Sequence, residues 1–236
     1  MAWNWSGFWG YFTNTYLLGG ALVTLGLTAA TLVLGFLLGL VLVWMRLSGW
    51  TVLAWLARAH VWLFRGTPLL VQLIIIYTGL PQLGIARLSV LESALLGLVL
   101  NEAAYLAEIL RAGIQSVPRA QRDAANALGL SRARTFLLVV APQALRVIVP
   151  ALGNSVNGLL KTTSIASVIS MEELLRRGQI LMQQRFEVLE VFTCIAIIYL
   201  AMTTLWDLVQ RRIEAHYSKS DRQVAGAAQD LAATER

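Results

Sequence analysis

Five runs of apolar residues along the chain are long enough to cross a bilayer, whose hydrocarbon core takes about 20 helical residues. They cover roughly Gly20 to Met45, Pro68 to Ala86, Val90 to Ala112, Thr135 to Ser164 and Val188 to Gln210. The fourth contains Pro142 and Pro150. It reads either as one kinked span or as a cytoplasmic helix followed by a shorter span. A sixth stretch, Trp50 to Phe64, mixes apolar residues with Trp55, Arg58, His60 and Trp62. That mixture predicts a helix lying along the membrane surface or entering it obliquely. It stops at Gly66, after which Thr67 is placed to cap the next helix with Pro68 in its first turn.

Composition sharpens this pattern. Hydrophobic residues make up 57% of the 236 residues and charged ones only 14%, against about 25% in soluble domains. No charged side chain occurs from Met1 to Met45. A water-soluble enzyme, a disordered chain and a nucleic-acid binder are therefore poor readings; the chain reads as an all-α integral membrane protein. The start lacks the basic region of a cleaved signal. Instead Trp3, Trp5, Phe8, Trp9, Tyr11, Phe12 and Tyr16 crowd an aromatic segment, 1–19, ahead of the first span, as suits a membrane–water interface.

The net charge of +6 follows the loops. Thirteen Lys and Arg fall on the side that holds the first and third connections and the C-terminus, against four on the other. This predicts an N-terminus outside and a C-terminus in the cytoplasm, consistent with an odd number of spans. Residues 20–213 form the membrane domain. The Ala-, Gln- and charge-rich 214–236 reads as a disordered cytoplasmic tail.

The longest interior loop, about 115–142, predicts a short helix over Arg119 to Leu128. Gly129 takes the left-handed position that ends it, and Ser131 caps the next helix. The product is a short helix and a sharp bend held at the cytoplasmic face. It reads either as a docking element or as a plain connecting hairpin.

Polar residues inside spans are costly and tend to face a bundle interior or an aqueous path. Asn101, Tyr105 and Glu108 share one face of the third span, and Asn154, Asn157, Lys161 and Ser164 one face of the fourth. Together they supply acceptors for an ammonium and donors for a carboxylate, as a zwitterionic amino acid requires. Helix joining is the competing reading, with Glu108 paired to Arg111 three residues on. Glu102 lies off the first stripe and is left to face a partner subunit. Gly35 and Gly39 match a close-packing motif, and the lone Cys194 reads as a small lipid- or core-facing hydrophobe. Gly153 and Gly158 loosely suggest a phosphate loop, but Lys161 arrives too late for one.

Asp123-Ala124-Ala125, then Gly129, then Pro142 resembles the EAA loop of ABC importer permeases. Here Asp123 stands for Glu, Val139 for Ile and Ala141 for Leu. Five collinear strings extend the resemblance to the polar amino-acid branch: those beginning at Arg65, Asn101, Lys161, Glu172 and Leu189. The resemblance implies five transmembrane helices with a cytoplasmic coupling helix, the type I ABC importer permease architecture, in the plasma (inner) membrane. It implies coupling to an ATPase through Asp123, Ala124, Ala125, Gly129 and Pro142. The expected partners are two copies of that ATPase, a second permease identical or homologous, an extracytoplasmic solute-binding protein and membrane lipid. The chain itself would bind no cofactor or metal, with ATP and Mg used by the ATPase. Another small polar solute, such as a quaternary amine, is the alternative cargo. An ATP-independent secondary transporter is the weaker alternative, since no internal repeat is visible. No nucleophile–base pair or metal cluster supports a membrane enzyme.

Overall fold

A computed structural model describes the backbone of residues 3–234 and the side chains of residues 3–217. All regular structure among them is helical. Two asparagines open the chain. Asn4 accepts from the Gly7 N–H to cap α1 (Trp5–Tyr11), and Asn14 accepts from Tyr16 and Leu17 to cap α2 (Thr15–Leu47). Each takes up donors that a first helical turn leaves unpaired.

Along α2 the buried positions include Leu17, Ala21, Thr24, Thr28, Thr31, Gly35, Gly39 and Leu42. Their spacing of three and four residues makes one stripe, and the small residues in it let another backbone come close. A Cβ on Gly39 would stand 3.3 Å from the Ala107 nitrogen, and one on Gly20 only 2.9 Å from the Leu174 Cα. The Gly35–Gly39 motif is thus a helix contact.

α3 (Thr51–Gly66) leads to α4 (Leu69–Ile74), a π-helical turn at Ile75–Gly79, and α5 (Leu80–Gln82). Thr51–Gly66 and Leu69–Gln82 are bent by 106° to each other. Pro68, rather than Thr67, is the cap residue of α4 and offers no side-chain bond. The Thr67 hydroxyl instead donates back to the Leu63 carbonyl at 2.8 Å, so it closes α3. A carbonyl left free at a helix end inside an apolar surround needs that partner more than a proline-led start needs a cap.

α6 (Val90–Ser116) begins with a capping box. The Ser89 N–H donates to Glu92 Oε2 at 2.7 Å, and the Glu92 N–H to Ser89 Oγ at 3.3 Å, a reciprocal satisfaction of two orphan donors. α7 (Arg119–Ala127) and α8 (Arg132–Thr135) follow. Then come a second π turn (Phe136–Val140), α9 (Ala141–Thr162) and a 3-10 segment (Thr163–Ile169). Both π turns end two residues before a proline, Pro81 in one case and Pro142 in the other. Proline lacks an N–H, and its ring meets the carbonyl four residues back. The residue before each proline bonds five residues back, Leu80 to Ile75 and Ala141 to Phe136. That widens the turn where the ring must fit. Arg132–Ile169 is consequently one helical segment of 38 residues with an apolar window long enough to cross a membrane.

α10 (Leu174–Arg185) and α11 (Val188–Thr234) complete the chain. The tail expected over 214–236 falls, from 218 onwards, outside the residues whose side chains are described. Among the described residues, four segments are long and apolar enough to cross a membrane: Thr15–Leu47, Val90–Ser116, Arg132–Ile169 and Val188–Tyr217. A fifth is reached if the bent pair α3 with α4–α5 counts as one.

The chain divides into two compact units, Met1–Glu108 with Ser155–Thr204, and Ile109–Asn154 with Leu205–Arg236. In the first, Phe8, Tyr11, Leu17, Leu174, Val191 and Cys194 belong to one core cluster, which places Cys194 against protein rather than lipid. Leu73, Ala94, Leu98, Leu159 and Ala166 belong to another. In the second unit the Trp206 indole N–H donates to the Gly153 carbonyl at 2.8 Å, and the Gln210 amide bonds Asn154 at 3.3 Å.

Candidate functional site

The loop over 115–142 is built as a docking element would need. α7 ends in a Schellman motif: Leu130 N–H bonds the Ala125 carbonyl at 3.1 Å, and Gly129 N–H bonds the Asn126 carbonyl at 2.9 Å. This geometry needs a left-handed residue after the cap, and Gly129 has φ +77°. Ser131 caps α8 by accepting from the Arg134 N–H. Gly113 and Arg122 fix the base of the loop. Gly113 lies against the Ile148 side chain, and the Arg122 guanidinium donates to the Ile114 carbonyl at 2.6 Å. That carbonyl is in the last turn of α6, where cations are favoured. Within α7 Ala125 is buried, while Asp123, Ala124, Asn126 and Ala127 are exposed. Leu128 is 83% exposed. An acid, small residues and a bare leucine on a rigid helix can enter a groove on another protein. Pro142, the last residue of the motif, sits at the second position of α9 behind its π turn.

The stripe on α6 is divided among three surroundings. Asn101 is buried and donates to the Phe64 carbonyl at 2.9 Å and to Gln72 Oε1 at 3.1 Å. Gln72 in turn donates to the Phe64 and Thr67 carbonyls at 3.0 and 3.1 Å. These two amides hold the elbow between α3 and α4. Tyr105 is 42% exposed, with the Arg65 guanidinium 5.3 Å from its ring centre. Glu108 is ion-paired with Arg46 and lies 3.9 Å from Arg65. Glu102 is buried and accepts from the Ser155 hydroxyl. It therefore faces the chain's own α9, not a partner.

On the other stripe Asn154 bonds Gln210, and Asn157 lies half-buried on the same face of α9. Lys161 and Ser164 line a cavity of about 410 Å³ shared with Tyr199 and Thr203 of α11. Tyr199 donates to Glu173 at 2.9 Å. Glu173 is fully buried and also accepts from Leu175 and Arg176 N–H at 2.9 and 2.8 Å. Burial raises the pKa of its carboxyl, against the lowering effect of those bonds. Gln72, Glu173, Tyr199 and Thr203 lie outside the two stripes that the sequence predicts. The spacing of Tyr199 and Thr203, one turn apart in an apolar span, was the available signal.

At the far end of this unit α1 is tied to the start of α11. The Asn4 N–H donates to Glu190 at 2.9 Å and its side chain to Glu187 at 2.6 Å, and the Tyr11 hydroxyl donates to Glu187. The bonds from Tyr11 and Asn4 hold the Glu187 carboxyl below its ordinary range. Burial, then the Glu187 bond, pushes the Tyr11 phenol up to about 12. No cluster of three or more metal-binding side chains occurs among the described residues.

Long apolar helices, a capped short helix on the loop between two of them, and polar groups within the spans define a multi-pass membrane transport component. Residues 32–219 match the family described as binding-protein-dependent transport system inner membrane component, and the chain belongs to that family. It is 36% identical over 242 residues to the arginine transport system permease protein of Corynebacterium glutamicum, covering 97% of this chain and 76% of that one. It is 34% identical over 215 residues to the glutamine transport system permease protein of Escherichia coli, covering 91% and 97%. The octopine transport system permease protein of Rhizobium radiobacter is 40% identical over 198 residues, covering 80% and 81%. Among solved structures, an amino acid ABC transporter crystallised with histidines superposes with a TM-score of 0.86 at 35% identity, covering 92% of this chain and 100% of that one. The inward-facing methionine transporter MetNI, at 20% identity and TM-score 0.69 over 86% of this chain and 96% of its own, shares the fold.

Proposed function

We propose that the chain is the permease subunit of an ATP-driven importer that carries a polar amino acid across the plasma membrane. Five crossings, with α4–α5 as the second, put the termini on opposite faces, and the Lys and Arg bias of the loops puts the N-terminus outside and the C-terminus in the cytoplasm. Two permeases, identical or related, flank the path. An extracytoplasmic binding protein delivers cargo, and two ATPases using ATP and Mg drive the cycle; the chain itself binds no cofactor.

The observation that carries this reading is the left-handed Gly129 closing α7, with Asp123, Ala124 and Leu128 left exposed. It supports a coupling helix in which Asp123 and Ala124 meet the ATPase, buried Ala125 seats the helix on its own chain, and Gly129 and Pro142 fix the angle of the helix beyond. In the membrane Lys161 and Ser164, with Asn157 and Tyr105, offer donors and acceptors to a zwitterion. Asn101 and Glu108 belong to the same stripe and act by shaping the elbow and the charged cluster beside it.

The test is reconstitution of the chain with its ATPase and binding protein in proteoliposomes. ATP-dependent uptake of a labelled polar amino acid is the expected result. Uptake that proceeds without ATP, or none for any amino acid under conditions of vigorous ATP hydrolysis, overturns the reading.

A further inference from the structure

The chain enters and leaves α3 at one level of α6. Arg46, just before α3, pairs with Glu108, and Arg65, in its last turn, lies 3.9 Å from the same carboxylate. A helix whose two flanks return to one side chain is an excursion and not a crossing. Its inner face carries Ala57 and Val61, which are buried. Its outer face is apolar yet bare: Trp50 is 73%, Trp55 61% and Trp62 77% exposed, with Val52, Leu56 and Leu63 beside them. Such a face is costly in water and suited to lipid, and tryptophans concentrate at the depth of the headgroups.

Arg58 breaks this face at one point. Trp55, Arg58 and Trp62, at i, i+3 and i+7, project on the same side, and together they line a cavity of about 580 Å³. The Arg58 Nε donates to the Ala54 carbonyl at 3.1 Å. No carboxylate pairs with its terminal nitrogens among the described residues. A forked cation without a counter-ion, walled by two indoles, matches a phosphate diester carried at interfacial depth.

We propose that α3 lies in the plane of the membrane–water interface, and that Arg58, between Trp55 and Trp62, binds the phosphate of an anionic phospholipid. The proposal does not depend on which solute the permease carries.

Native mass spectrometry of the purified chain, equilibrated with equal phosphatidylglycerol and phosphatidylcholine, provides the test. Wild-type chain is expected to retain phosphatidylglycerol selectively, and Arg58→Gln to retain about fivefold less, the effect of one interfacial cation. Arg58→Lys keeps the charge without the fork and should fall between. If Arg58→Gln does not fold, the wild type still decides: its selectivity must fall as salt is raised. Equal retention of both lipids, or no loss in a folded Arg58→Gln chain, overturns the proposal. So does disulfide formation between two chains bearing Trp55→Cys, which would show that a second copy covers this face.

Discussion

Asn101 and Gln72 are joined by an amide–amide hydrogen bond of 3.1 Å at the elbow between α3 and α4. Both also donate to the Phe64 carbonyl, at 2.9 and 3.0 Å. The bend of 106° leaves the last carbonyls of α3 without helical partners. In an apolar surround each would be costly to leave unbonded. Two side-chain amides therefore replace the missing turn of helix, and they fix the direction in which α4 departs.

Replacing either amide with leucine should lower stability by about 1–3 kcal/mol, the cost of an unsatisfied buried polar group. The double replacement should cost less than the sum, because both serve one carbonyl. Thermal unfolding of the purified chain in detergent measures both. Strict additivity would show that the two amides act separately.

The close approach at Gly20 makes a sterically defined prediction. Its missing Cβ would lie 2.9 Å from the Leu174 backbone, so Gly20→Ala must push α2 and α10 apart. A loss of about 1–3 kcal/mol is expected from overpacking. Gly26, beside which nothing lies within 4 Å, is the control. Gly26→Ala should leave the unfolding temperature unchanged or slightly raised.

Lys161 and Tyr199 separate transport from architecture. Lys161→Ala should reduce uptake in proteoliposomes while leaving delivery by the binding protein intact. Unchanged uptake kinetics would remove Lys161 from the path. Tyr199→Phe deletes one of the donors to buried Glu173 and should cost about 1–3 kcal/mol in stability. The unfolding temperature of that variant is the readout.

Much of this was legible in sequence, for identifiable reasons. Hydropathy placed the long helices because an apolar run can only be buried or lipid-facing. Gly129 was readable because a helix-ending glycine has one preferred conformation, and Ser131 because few residues cap. Thr67 closes α3 and does not cap α4; a hydroxyl beside a proline looks like a start cap only while the unpaired carbonyls of the preceding helix are out of view. The π turns were invisible: Pro81 and Pro142 announce a disturbance but not which hydrogen-bond pattern absorbs it. Glu102 and Ser155 are 53 positions apart, and no local periodicity shows that they meet. The substrate-path stripe was drawn from spacing alone, which cannot distinguish Asn101, committed to the elbow, from Lys161, which lines a cavity.

The tie between α1 and α11 makes stability depend on pH in a stated direction. Glu187 is held below the ordinary carboxylate range by its bonds from Tyr11 and Asn4. A depressed carboxylate contributes stability above its unfolded pKa, about 4.3. The contribution is lost as pH falls through the lower folded value. Hydrogen exchange over Trp5–Tyr11 should therefore quicken on acidification below that point, and Glu187→Gln should flatten the dependence. A pH response that persists in Glu187→Gln would place its origin elsewhere.

Gly129 decides whether α7 is the helix that couples the ATPase to the membrane domain. Open space surrounds the missing Cβ, so a substitution there acts through backbone conformation and not through a clash. A left-handed β-branched residue costs about 1–2 kcal/mol, whereas asparagine tolerates the region. The measurement is binding-protein-stimulated ATP hydrolysis and amino-acid uptake by the reconstituted complex, with wild-type, Gly129→Asn and Gly129→Val chains. Near-normal activity for Asn and loss of both stimulation and uptake for Val, with the Val chain still inserted and folded, is the predicted result. Normal coupling by Gly129→Val would contradict the assignment of α7 as the coupling helix.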